Sequence, residues 1–202
     1  MKKSIIYVSN NYLIYNKEWY DINSFIKVPN MEKNRIIILL EHQLYISTGY
    51  IKKGTSIKEI IHENFGGDEN YLVQYFYINK GKKAIIYAVN ESKNLIPILK
   101  GSVKTKILPI QTYVASIMNK KNKNKSWNLL FKFRNVIYLI MHNSTNIYFS
   151  FFTGNEELLM SKINELNIKN NLYVLKDCNI NIGYKYENIS LGDIFNEKNL
   201  CK

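Results

Sequence analysis

The sequence is poor in the residues that staple, kink or punctuate a chain: two cysteines, three prolines and nine glycines in 202 residues. With Cys178 and Cys201 alone, no disulfide framework is expected, and the chain suits a reducing compartment. Arginine is scarcer still, since only Arg35 and Arg134 stand among 28 basic residues. Long apolar runs are missing too. RIIILL and NVIYLIM fall far short of the ~20 residues that cross a bilayer. The opening MKKSIIYVSNN lacks the longer apolar stretch and small-residue cleavage site of a secretory signal. A soluble, cytoplasmic protein is expected.

Catalytic signatures are equally thin. Neither GxSxG nor GxxxxGK[ST] occurs. His42, His62 and His142 are scattered without metal-ligand spacing and read as surface or turn residues. A two-metal nuclease needs clustered carboxylates; the aspartates are Asp21, Asp68, Asp177 and Asp193, and the first strand carries no acid. No catalytic residue, cofactor or metal is expected.

What is present is charge, tyrosine and short β runs. The net charge of +12 invites a nucleic-acid reading. Against it, arginine is the residue best suited to bidentate phosphate and guanine contacts. Lysine, asparagine, isoleucine and tyrosine all have AT-rich codons, so compositional drift suffices to explain the charge. A basic nucleic-acid-binding module is the alternative reading, and no specific nucleic-acid partner is expected. The run NKKNKNKSW reads as a solvated loop. Sixteen tyrosines suit β surfaces.

Along the chain, SIIYVS and YLIYN flank a polar turn as a hairpin, and RIIILL with QLYISTGYI reads as a second strand pair. SIKEIIHENF has capping-box spacing at Ser56 and Glu59, with Gly66 and Gly67 to stop it. YLVQYFYIN, KKAIIYAV and KTKILP read as strands, and ESKNLIPILKG as a poor helix around Pro97. After Pro109, IQTYVASIMN places Ile110, Val114, Ile117 and Met118 on one helical face. Three strands over 126–152, a helix capped by Asn155 and the strand LYVLKD follow. The tail reads as a short helix or packed extended segment.

The order from YFYINKGKKAIIYAV through KILPIQTYVASIM to NLLFKFRNVIYLIMHNSTNIYFSFF resembles the actin-like proteins of type IV pilus and type II secretion assembly platforms. The resemblance covers roughly residues 35–195 and lies in element order and hydrophobic pattern. It implies a mixed α+β chain of reduced actin-like, ribonuclease-H-like architecture. Residues 1–101 would form one subdomain with an inserted βαββα-type unit, and 102–202 a second, reduced one.

Nucleotide-binding members carry an acid and a glycine at each of two phosphate hairpins. Here the first hairpin offers Ser9, Asn10 and Asn11, and the second, taken as the 137–152 hairpin, offers Asn143, Ser144 and Thr145. These hairpins are therefore expected to be vestigial. The resemblance further implies a non-enzymatic scaffold that binds the cytoplasmic N-terminal tail of a single-span inner-membrane platform protein, with an assembly ATPase nearby. Docking at an exposed sheet edge or a groove between subdomains is expected. The positive charge favours a weak contact with the anionic leaflet. The oligomeric state stays open.

Overall fold

The computed structural model describes residues 4–16, 18–21, 31–51, 54–66, 71–90, 95–123, 125–168, 172–176, 178, 180, 182–183 and 185–191. The chain opens with β1 (Ser4–Val8), β2 (Tyr12–Tyr15), β3 (Glu18–Asp21) and β4 (Asn34–Leu39). Next come β5 (Tyr45–Tyr50), α1 (Ile57–Phe65), β6 (Tyr71–Ile78), β7 (Lys83–Asn90) and α2 (Leu95–Leu99). After these run β8 (Lys104–Pro109), α3 (Ile110–Lys121), β9 (Trp127–Phe133), β10 (Val136–Asn143) and β11 (Asn146–Thr153). The last described elements are α4 (Glu156–Glu165), β12 (Leu172–Leu175) and β13 (Glu187–Ile189).

Two five-stranded sheets repeat one topology. The first has the order β3-β2-β1-β4-β8 and the second β11-β10-β9-β12-β13. In each, the first strand of the group pairs antiparallel with the second and parallel with the fourth. The inner strands explain themselves by composition. Ile6 and Val8 on β1 and Ile37 through Leu39 on β4 are fully buried, as are Leu129 to Phe131 on β9. Strands covered on both faces need apolar residues at consecutive positions, not alternate ones.

Between β4 and β8 the chain leaves the first sheet to build a three-stranded sheet of order β5-β7-β6 with α1 packed on it. The Ser56–Glu59 capping box starts α1, and Gly66 ends it in the left-handed region at φ 69°. Gly49 on β5 faces α1, and a Cβ there would strike the Ile60 side chain, so glycine lets the helix lie close. The short α2 ends on Arg35. This buried guanidinium donates to the carbonyls of Glu32, Ile98 and Lys100, at 2.9 Å for the first and 3.0 Å for the last.

Several sequence expectations are corrected. β4 and β5 do not pair, because the five residues between them lead the chain into a different sheet. β8 pairs parallel with β4, so the first sheet takes a strand from beyond residue 101 and reaches Pro109. β3 and β13 are strands that the local pattern does not reveal, since EWYD and ENI are short and mostly exposed edge strands. In the tail, β13 is extended, and residues 192–202 lie outside the described residues.

Candidate functional site

In the first sheet the first hairpin is β1–β2, and its turn holds Ser9, Asn10 and Asn11. The strand occupying the position of β1 in the second sheet is β9, so the matching hairpin is β9–β10, turning at Arg134 and Asn135. This corrects the pairing read from sequence. Asn143, Ser144 and Thr145 sit one turn further on, at the end of β10 and in the turn to β11, which is the equivalent of the β2–β3 connection. The likeness of two apolar-turn-apolar stretches misled, because a hairpin pattern does not say which strand is central. The Asn143 side chain closes its own turn: Oδ1 accepts from the backbone N–H groups of Thr145 at 3.1 Å and Asn146 at 2.9 Å.

The two matching hairpins meet. The Arg134 guanidinium lies over the rings of Tyr12 and Trp19, which themselves pack 4.6 Å apart. Behind them Tyr7 of β1 stacks on Phe133 of β9. The first hairpin does have a carboxylate, supplied from outside its own sequence. Glu41, just past β4 and in the left-handed region at φ 56°, accepts from the Ser9 hydroxyl at 2.6 Å and the Tyr12 hydroxyl at 3.1 Å. Burial and that carboxylate push the Tyr12 phenol up to about 12. Sequence reading missed Glu41, although its place at the carboxyl end of a parallel strand beside β1 is where open α/β sheets collect functional groups. Ser9 is fully buried, whereas Asn10 and Asn11 are exposed, so the three do not converge on one point.

A groove runs between the first sheet and the inserted sheet. Its walls include β6 and β8, each an edge strand among the described residues. A cavity of about 320 Å³ lies over Leu39, Leu44, Leu72, Val89 and Ile107, and one of about 390 Å³ continues toward α3 and the β10–β11 turn. Both are lined by Gln74, Tyr87 and Lys106, so they form one groove. The Thr105 hydroxyl is buried there without a hydrogen-bond partner.

The histidines also need correction. His62 is exposed as expected, but His42 and His142 are buried. The His42 ring nitrogen meets the Leu40 carbonyl, its own carbonyl accepts from Gln111 Nε2 at 2.9 Å, and burial lowers its pKa. His142 stacks on Trp127 with ring centroids 4.6 Å apart. Each is held by a neighbour far away in sequence, which no local pattern reveals.

No protein-family model and no curated protein matches the sequence. Solved structures do match in shape. A chain of the PilM–PilN type IV pilus biogenesis complex aligns with a TM-score of 0.62 at 6% identity, over 96% of this chain and 90% of that one. A protein of unknown function with an actin-like ATPase fold from Bacteroides thetaiotaomicron gives 0.52 at 11% identity, over 86% and 80%. The chain has the actin-like fold. The cytoplasmic domain of EpsL, an inner-membrane component of the type II secretion system of Vibrio cholerae, gives 0.54 at 10% identity, over 98% and 93%. The actin-like architecture implied by element order is therefore borne out, as is the mixed α+β class. No helix among the described residues is long and apolar enough to cross a membrane.

Proposed function

We propose that this actin-like chain is a non-enzymatic cytoplasmic scaffold of a type IV pilus or type II secretion assembly platform at the inner membrane. In this reading the cytoplasmic segment of a single-span membrane protein docks on it in extended form, with an assembly ATPase as a neighbour. The observation that carries the reading is the groove between β6 and β8. Two open strand edges and an apolar floor offer backbone hydrogen bonds and side-chain pockets together, which is the chemistry of β-strand addition. The similar solved structures support the setting, since they are named for a pilus complex and an inner-membrane secretion component.

The two hairpins are proposed to be vestigial as nucleotide sites. Glu41 is engaged by Ser9 and Tyr12, Arg134 lies over Tyr12 of β2 and Trp19 of β3, and neither turn contains glycine. Glycine would let backbone amides approach a phosphate. Two subdomains are part of this proposal, with the boundary placed at the β8–α3 junction. The exposed lysines at 120, 121, 123 and 125 add a weak attraction to the anionic leaflet.

A photo-crosslinking residue placed at Gln74, in cells of the source organism, tests the groove. The expected adduct is the cytoplasmic segment of an inner-membrane protein, lost when Leu72 and Ile107 are both changed to glutamine. Adducts with soluble proteins alone would overturn the reading.

A further inference from the structure

The end of the inserted sheet that carries the β6–β7 turn has charge of one sign only. Strands β5, β6 and β7 and that turn contain no aspartate or glutamate, yet the turn and the start of β7 supply Lys80, Lys82 and Lys83. On the packed helix α1 the acids are Glu59 and Glu63, and Glu59 is engaged in the capping box with Ser56. Lys80 and Lys82 are exposed. Asn79 and Lys80 take φ 51° and 54°, and the Lys82 N–H donates to the Asn79 carbonyl at 3.2 Å. Lys80 is thus carried on a short, tight turn, at a backbone position that glycine or asparagine adopts more easily.

The tyrosines at this end are exposed on both faces. Gly49, Ala84 and Tyr77 lie opposite one another in one row of the sheet, and Tyr50, Lys83 and Ile78 in the next. Cross-strand partners share a face, and successive rows alternate. Tyr77 therefore stands on the face that α1 approaches at Gly49, and Tyr50 on the opposite one. Tyr77 is 53% exposed and Tyr50 71%, with the Lys83 ammonium 5.3 Å from the Tyr50 ring centre. Phe76 is exposed as well, but it lines the groove and packs edge-on against Tyr87.

We propose that this end of the inserted sheet is a lipid contact, which meets the surface of an anionic bilayer with Tyr50 and Tyr77 at headgroup depth and Lys80, Lys82 and Lys83 among the anionic groups. That the bilayer is the inner membrane rests on the platform reading above; the lipid contact itself does not. A phenol presents an apolar body and a polar tip, which suits the boundary between membrane and water. Lysines beside it gain from the negative surface potential, and no carboxylate on these strands opposes them. A single-stranded nucleic acid fits less well. Bases stack along one platform, whereas these two rings stand on opposite faces of one sheet. The end of a sheet that enters an interface uses both faces at once.

The full chain is mixed and sedimented with vesicles of phosphatidylcholine, alone or with roughly one-third phosphatidylglycerol. It should bind the anionic vesicles only, and less as salt rises. Lys80→Gln with Lys82→Gln should weaken binding about tenfold or more. Tyr50→Ser with Tyr77→Ser should weaken it severalfold. These side chains are exposed, so the melts should match the parent's. Tyr77→Trp adds a local readout: brominated phosphatidylcholine in the anionic vesicles should quench its emission beyond the quenching seen in the parent. Vesicle binding that the lysine and tyrosine pairs leave unchanged, or that Lys123→Gln with Lys125→Gln abolishes instead, overturns the contact. So does an absence of binding to anionic vesicles, or tyrosine-dependent binding of oligothymidylate in its place. The Gln74 crosslink separates this contact from the groove. A membrane-protein adduct on a chain that binds no vesicles leaves the groove and removes the lipid contact. Vesicle binding through these residues on a chain that yields no such adduct does the reverse.

Discussion

The phenol of Tyr138 on β10 accepts a hydrogen bond at 3.1 Å from the backbone N–H of Glu41, which lies just past β4 of the first sheet and 97 positions away. Glu41 in turn holds the first hairpin through Ser9 and Tyr12. Tyr138 is fully buried and stacked on Phe131 at 4.8 Å, so its hydroxyl is aimed by a rigid ring. Gln43 adds a parallel link, donating to the Ser150 carbonyl of β11 at 3.1 Å. The two sheets are therefore joined by polar contacts between the segment after β4 and the strands β10 and β11.

Tyr138→Phe should keep the packing but strand the Glu41 N–H. The expected loss is about 1–3 kcal/mol, the cost of an unsatisfied buried group. A thermal melt should show a drop of several degrees, and Tyr138→Phe with Gln43→Ala should fall further as one cooperative transition. Separate melting of the two halves would show that these contacts do not join them.

α3 lies between the sheets with Val114 fully buried. Val114→Asp would bury an unpaired carboxylate and should cost several kcal/mol, on the order of 3–5. Changing exposed Lys123 and Lys125 to glutamate should leave the melt within about 2 °C of the parent, as surface substitutions usually do. A Val114→Asp protein that melts like the parent would remove α3 from the core.

Stability should fall on mild acidification. Burial lowers the His142 pKa to about 4 and lowers that of His42 as well, against an ordinary value near 6.5. Between those values the unfolded chain binds more protons than the folded one, so stability is full above about pH 6.5 and drains as pH falls toward 4. Melts across that range should slope downward, and His142→Phe should flatten the slope. An unchanged slope in that variant would place the titrating group elsewhere.

Nucleotide binding should be absent. With Glu41 engaged and Arg134 seated on Tyr12 and Trp19, calorimetry with magnesium and ATP should give no saturable heat. A micromolar isotherm that vanishes in Glu41→Gln would overturn the vestigial reading.

DNA and RNA binding should be weak, indifferent to sequence and steeply lost with salt, as expected of lysine charge without arginine readout. Filter binding over a salt series measures this. Sequence-dependent binding that persists at physiological salt would favour a nucleic-acid module instead.

The sequence by itself determined the local pieces. The capping box at Ser56 and Glu59, the Asn155 cap, the Gly66 stop and the apolar runs of β1, β4, β9 and β10 are short-range matters of hydrogen bonding and periodicity. Element order and hydrophobic pattern together carried the resemblance to the actin-like family. Only the tertiary structure decided which hairpin matches which. Centrality in a sheet depends on partners far off in the chain, and β9 is central because β12 and β10 flank it. The same holds for the site. Glu41 reaches Ser9 across 32 positions, and Asn119 meets the His142 ring across 23, contacts that no window of sequence spans.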